Sequence, residues 1–267
     1  MRDIIRQIAV VLSTIAVIVV NGLANALPLN GQTTGEISDR FDVYFVPAGY
    51  VFSIWGLIYL ALIGYSIYQV LPSQRENPRL RRTGWLYVLS CAANIAWLFL
   101  WHYEYFALSM VAMAALLLLL IAIYLDLGTG RTRVSGGETW LVRVPFSIYL
   151  GWITVATIAN ATSLLDYLNW NGWGLSPETW AVIMLIAAGV ITSAVALIRG
   201  DVAYVAVIVW ALIGIAVKHA DNFPVSVTAK AMVVVVIVAL ILGVPLSRRR
   251  VERSVVETPE EGVRDRW

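Results

Sequence analysis

Charge is scarce in this chain. Only 13% of its 267 residues are Asp, Glu, Lys or Arg, against 60% hydrophobic residues. A soluble domain carries about 25% charged residues, so a water-facing globular fold is excluded and the bilayer is the expected solvent. The one cysteine, Cys91, rules out an intramolecular disulfide and any multi-cysteine metal site. It lies in an apolar run and reads as a packed, unreactive thiol. Two histidines, His102 and His219, are too few for a histidine-built metal centre. The chain also lacks a phosphate-binding glycine loop, a zinc-protease helix motif, a nucleophile elbow and any tandem repeat of fixed period. A formal net charge of only +2 goes with the expectation of no nucleic-acid partner.

What remains is apolar length. A bilayer core about 30 Å thick needs roughly 20 apolar residues per helix. Eight runs approach that length: Ile5–Leu27, Ala48–Val70, Gly84–Trp101, Tyr105–Leu125, Val144–Leu165, Pro177–Ile198, the shorter Val202–Val217, and Thr228–Leu246. They are continuous rather than alternating, which indicates helices and not a barrel. The expected fold is therefore an all-α integral membrane protein of about eight transmembrane helices. With both termini cytoplasmic, sixteen of the nineteen basic residues fall on the inner side, leaving Arg40, Lys218 and Lys230 outside. The first run resembles a secretory signal peptide, with two arginines before it and Ala24-Asn25-Ala26 near its end. It is read as a retained first span because its apolar stretch continues to Leu27.

The longest external connection, "PLNGQTTGEISDRFDVYFVP" from Pro28 to Pro47, exceeds a minimal turn and reads as a lid. The basic inner loops suit anionic lipid headgroups as neighbours. After Leu246 the charged segment "SRRRVERSVVETPEEGVRDRW" reads as a disordered cytoplasmic tail over residues 247–267.

Three spans carry stripes that crossing a bilayer does not require. Phe52, Trp55 and Tyr59 share a helical face in the second span; Ser90, Asn94, Trp97 and Trp101 do so in the third. In the fifth, Pro145, Tyr149, Trp152, Ala156 and Asn160 form one stripe. An amide in hydrocarbon is costly, so Asn94 and Asn160 are expected to point into the bundle, where interhelical hydrogen bonding alone would account for them. Aromatic walls beside small residues and a few amides also suit a pocket for a large, flat, hydrophobic molecule.

The motifs "VPAGYVFSIWGLIYL", "CAANIAWLFLWHYEYF" and "PFSIYLGWITVATIAN" resemble, in order, the second, third and fifth helices of the TspO/translocator-protein family, the tryptophan-rich sensory proteins. The resemblance covers residues 5–171. It implies a five-helix domain over 1–171 that binds protoporphyrin IX, haem-like tetrapyrroles or other hydrophobic ligands under the loop after the first helix. By motif it places Trp55, Tyr59, Asn94, Trp97, Trp152, Ala156 and Asn160 on the pocket wall, requires no cofactor, and suggests a homodimer in a prokaryotic plasma membrane. The chain departs from the pattern in its loop, where Asp42, Tyr44 and Pro47-Ala48 replace a tryptophan-rich stretch, and in the three-residue spacing of Phe52 and Trp55. Residues 172–246 add three spans. The expected function is a membrane-embedded binding or sensory protein modulating a stress or tetrapyrrole response. The alternatives are a light-dependent porphyrin-modifying enzyme and a transporter of small hydrophobic solutes.

Overall fold

The structure, a computed structural model, describes residues 2–27 and 29–256. Their regular elements are all helical: α1 (Arg2–Ala26), α2 (Thr34–Asp39), α3 (Ile54–Val70), α4 (Pro78–His102), α5 (Phe106–Asp126), α6 (Gly136–Glu138), α7 (Val144–Tyr167), α8 (Pro177–Arg199), α9 (Val202–Lys218) and α10 (Phe223–Val256). Short-range chemistry sets the boundaries. Asn77 caps α4 ahead of Pro78, and Ser176 caps α8 ahead of Pro177, where a proline's missing N–H costs nothing. Gly200, at φ 61°, ends α8 in the left-handed region, and Asp201 caps α9 one residue later. A single π-helical turn, Thr139–Arg143, precedes Pro145 and absorbs the hydrogen bond that proline cannot make.

Seven helices among the described residues are long and apolar enough to cross a membrane. The exception among the eight expected spans is α9, whose 17 residues rise only about 25 Å. The expectation of an all-α membrane protein holds, and each expected span coincides with a helix. At the C-terminus, α10 continues to Val256, so residues 247–256 are helical where a disordered tail was expected. Residues 257–267 lie outside the described ones.

Five helices close a ring, in spatial order α1, α4, α5, α7, α3 and back to α1. Outside it, α9 packs on α7 and on the 3-10 turn Gly49–Ser53 that leads into α3, while α8 and α10 pair with each other and α10 covers α9. α7 is thus shared by the ring and the three-helix extension, and half of its 24 residues are buried. Its Gly151 faces the Tyr204 carbonyl and Val207 on α9, leaving little space for a side chain.

Polar layers cross the ring interior along α1. Gln7 and Gln69 exchange side-chain to backbone hydrogen bonds at 2.7 and 3.1 Å, Thr14 meets Tyr87 at 2.9 Å, and Asn21 donates to Asn94 Oδ1 at 2.8 Å. The spacing is seven residues, about 10 Å of helix rise, so the same face of α1 returns to the interior each time. Tyr65 and Phe146 pack edge-to-face with each other and with Tyr87 of the middle layer. The N-terminal ends of α1, α4, α7 and α9 lie on the face that carries most of the arginines; the segment after α1 lies on the other.

A tryptophan-lined cavity beneath a lid

At the end of the ring away from the arginines, α3, α4 and α7 enclose a cavity of about 40 Å³. Phe52 and Trp55 form one wall, Trp97 and Trp101 a second, and Trp152, Ala156, Asn160 and Ser163 a third. Thr34, Ser38 and Pro47 close the top. Phe52 packs edge-on to Trp152 at 5.6 Å, as does Trp55 at 6.2 Å. Trp97 stacks on Trp101 at 6.0 Å.

The floor is hydrogen-bonded. Trp97 Nε1 donates to Asn160 Oδ1 at 2.7 Å, and Asn160 Nδ2 donates to Ser109 Oγ at 3.3 Å, tying α4, α7 and α5 together. Two polar atoms in the wall are buried without a hydrogen-bond partner: Trp152 Nε1 and Ser163 Oγ. Buried donors and hydroxyls are normally satisfied, so two residues that line the space carry unmet hydrogen-bonding groups.

Five of the seven residues expected on the pocket wall line the cavity: Trp55, Trp97, Trp152, Ala156 and Asn160. The other two do not. Tyr59 stacks behind Trp55 at 5.6 Å, and Asn94 accepts from Asn21 one layer deeper in the ring. The difference has a geometric origin. Phe52 lies in a 3-10 turn, where residues three apart eclipse, so Phe52 and Trp55 share the cavity wall and Tyr59 falls a turn below it. Ser163, absent from the expected wall, continues the α7 stripe three residues beyond Asn160.

The lid is built around α2. Thr33 and Glu36 form a reciprocal capping box, so the sequence "TTGE" starts a helix inside what reads as a loop. Trp101 Nε1 donates to the Thr34 carbonyl at 3.3 Å, and Phe41 packs against Trp101 and Phe106 at 5.9 and 5.1 Å. Arg40 meets Glu104 at 2.6 Å; that hydrogen bond holds the Glu104 carboxyl below its ordinary value. The lid also reaches the extension. Lys218 pairs with Asp39 at 2.7 Å, Tyr44 donates to Glu178 at 2.9 Å, and its ring lies 5.2 Å from His219. Just beyond the lid, Ala48 N–H donates to the Gly214 carbonyl at 3.2 Å and Trp210 Nε1 to the Val51 carbonyl at 3.2 Å.

The geometry defines a class: a helical membrane protein whose five-helix ring holds a tryptophan-lined cavity under a lid. A model of the TSPO-like protein family matches residues 7–242, from within α1 to within α10. The chain belongs to that family, and the match takes in the three-helix extension as well as the ring. No curated protein and no solved structure matches the chain.

Proposed function

We propose that this chain is a membrane-embedded binding and sensory protein of the TspO type, taking porphyrin-like or other flat hydrophobic ligands into the cavity under its lid. The observation that carries the reading is the unpartnered Trp152 Nε1 in an otherwise aromatic wall. Tryptophan faces supply stacking area, and Trp152 Nε1 with Ser163 Oγ supplies a polar edge that fixes orientation. No carboxylate, imidazole, thiol or amine lines the cavity among the described residues, so general acid–base chemistry has no group there. Binding is favoured over hydrolysis on that ground.

The fit sets a condition. The cavity, about 40 Å³, has room for roughly a water or two, whereas small-molecule sites run to about 300–1,000 Å³. A tetrapyrrole is therefore admitted only with the lid displaced, and the contacts of Asp39, Arg40 and Tyr44 govern uptake. By the positive-inside rule, the arginine-rich face is cytoplasmic and the lid is on the outer side.

The test is a Soret-band titration of the detergent-purified protein with protoporphyrin IX, comparing wild type with Trp97→Ala and Ala156→Phe. Saturable binding in the wild type, lost in both variants with folding retained, supports the reading. Absence of saturable binding, or binding indifferent to both changes, overturns it.

A further inference from the structure

On the arginine-rich face, the α5–α6 loop, the start of α7, the α8–α9 turn and the end of α10 surround a basin of about 480 Å³. Two guanidinium groups in its wall, Arg143 and Arg199, belong to residues only 7% exposed. Neither has a carboxylate partner among the described residues. Arg143 donates to the carbonyls of Thr132 and Leu127, at 2.6 and 2.8 Å, and to the Thr132 hydroxyl. Arg199 donates to the Thr129 carbonyl at 3.2 Å and lies 5.5 Å from the centre of the Tyr124 ring. Arg143 Nε and Thr129 Oγ1 are buried with no partner.

The nearby acids only partly offset this charge: Asp201 lines the basin and acts on Arg199, one carboxylate against Arg143, Arg199 and Arg248. Asp201 accepts from Ser147 Oγ at 2.6 Å and caps α9 through the N–H groups of Ala203 and Tyr204. Glu138, beside Arg143, is held by Arg79 through two hydrogen bonds, at 2.6 and 3.1 Å. Glu252 faces Arg133 at 3.4 Å. Arg248 is exposed at the basin's edge. Among the described residues the basin thus keeps a net positive charge in partly desolvated surroundings, an arrangement that recruits an anion. The α5–α6 loop is set against the end of α8 by close backbone approach: a Cβ on Gly130, which has φ 71°, would overlap the Arg199 carbonyl.

The basin leads into an apolar groove. Ala203 lines both, and the groove of about 370 Å³ continues between α3, α7 and α9 past Leu57, Ile148 and Val207 to Trp210. From Val202 to Trp210, α9 rises about 12 Å, much of one bilayer leaflet. An anionic head site joined to an apolar trough is the negative image of a charged amphiphile.

We propose that basin and groove bind one anionic phospholipid, its phosphate among Arg143, Arg199 and Arg248 and one acyl chain along α9 toward Trp210. The lipid lies across the seam between the ring and the extension. The site is separate from the cavity under the lid, and its occupancy does not depend on what that cavity binds.

The experiment uses the full chain in vesicles. Tryptophan quenching by acyl-brominated phosphatidylglycerol is compared with quenching by acyl-brominated phosphatidylcholine, and the Trp210 share is taken as the difference between wild type and Trp210→Phe. Preferential quenching of Trp210 by phosphatidylglycerol is expected. It should weaken by about tenfold in apparent affinity in Arg248→Gln, whose exposed side chain the fold does not need, and in Ala206→Phe, which fills the groove without adding a tryptophan. Native mass spectrometry with phosphatidylglycerol and with inorganic phosphate separates a lipid from a soluble anion. Retention of one phosphatidylglycerol, lost in Arg248→Gln, agrees with the proposal. Retention of phosphate with no lipid preference overturns the acyl-chain half, and equal quenching by both lipids, unmoved by either variant, overturns the whole.

Discussion

Tyr44 in the lid donates its hydroxyl to Glu178 in the first turn of α8, 2.9 Å away. The cover of the five-helix ring is therefore fastened to a helix outside it. Lys218 with Asp39, and His219 beside the Tyr44 ring, fasten it further to the end of α9.

These fastenings are individually weak, because they are partly or largely exposed and an exposed ion pair contributes about 0–1 kcal/mol. Lys218→Ala combined with Tyr44→Phe should leave thermal stability nearly unchanged and speed protoporphyrin association by about 3- to 10-fold. Stopped-flow absorbance measures the rate. An unchanged rate in the double variant would separate the lid from uptake.

Lid opening should respond to pH through His219. Burial and the neighbouring Lys218 push its imidazole below the ordinary value, against smaller opposing effects of a hydrogen bond to the Val46 backbone and the charge of Asp42. A histidine with a depressed folded-state value favours the folded arrangement when neutral. That contribution is present above about pH 6.5 and is lost as pH falls through the depressed value. Glu104, lowered by its hydrogen bond from Arg40, keeps its contribution until more acid pH, below about 4. Association should therefore quicken between pH 7 and 5 in the wild type and stay flat in His219→Gln. The same acceleration in that variant would exclude His219 as its source.

Removal of Asn160 should cost more than removal of Asn94. Asn160→Leu leaves Trp97 Nε1 buried without its 2.7 Å acceptor, a loss of about 1–3 kcal/mol. Asn94→Leu removes an acceptor from Asn21, whose amide also donates to the Val17 carbonyl at 2.8 Å, and interhelical polar contacts of that kind average about 0.6 kcal/mol. Thermal unfolding in a single detergent ranks the two. The reverse order would contradict the hydrogen-bond assignment at the cavity floor.

A chain ending at Asn171 should not yield a well-behaved five-helix protein. Truncation deprives Ala48 N–H of the Gly214 carbonyl and the lid of Glu178 and Lys218, and it uncovers the α7 face that packs on α9. Size-exclusion chromatography should show a polydisperse sample. A monodisperse product that binds ligand with full-length affinity would mean that the extension is dispensable to the ring.

The spans were legible because bilayer length and charge placement leave few alternatives, and Trp152, Ala156 and Asn160 were legible because a 3.6-residue period places them on one face. Tyr59 shares the face of Trp55 but lies one α-helical turn farther along α3, below the cavity, and a face pattern does not encode depth. The α2 helix carried its signal in Thr33 and Glu36, but six residues are too few for an apolar period to show. The pairing of Tyr44 with Glu178 spans 134 positions, and no local pattern encodes a contact at that separation.

One consequence follows from Gly151, where α7 and α9 approach closely enough that a side chain has little room. α7 cannot retreat from the cavity without driving α9 into α10. The tryptophan chamber thus has a fixed back, and under the proposed function room for a guest has to come from α3 and the lid. A broad guest and a narrow one would leave α7 where it is and differ in how far they prise the cover from α8.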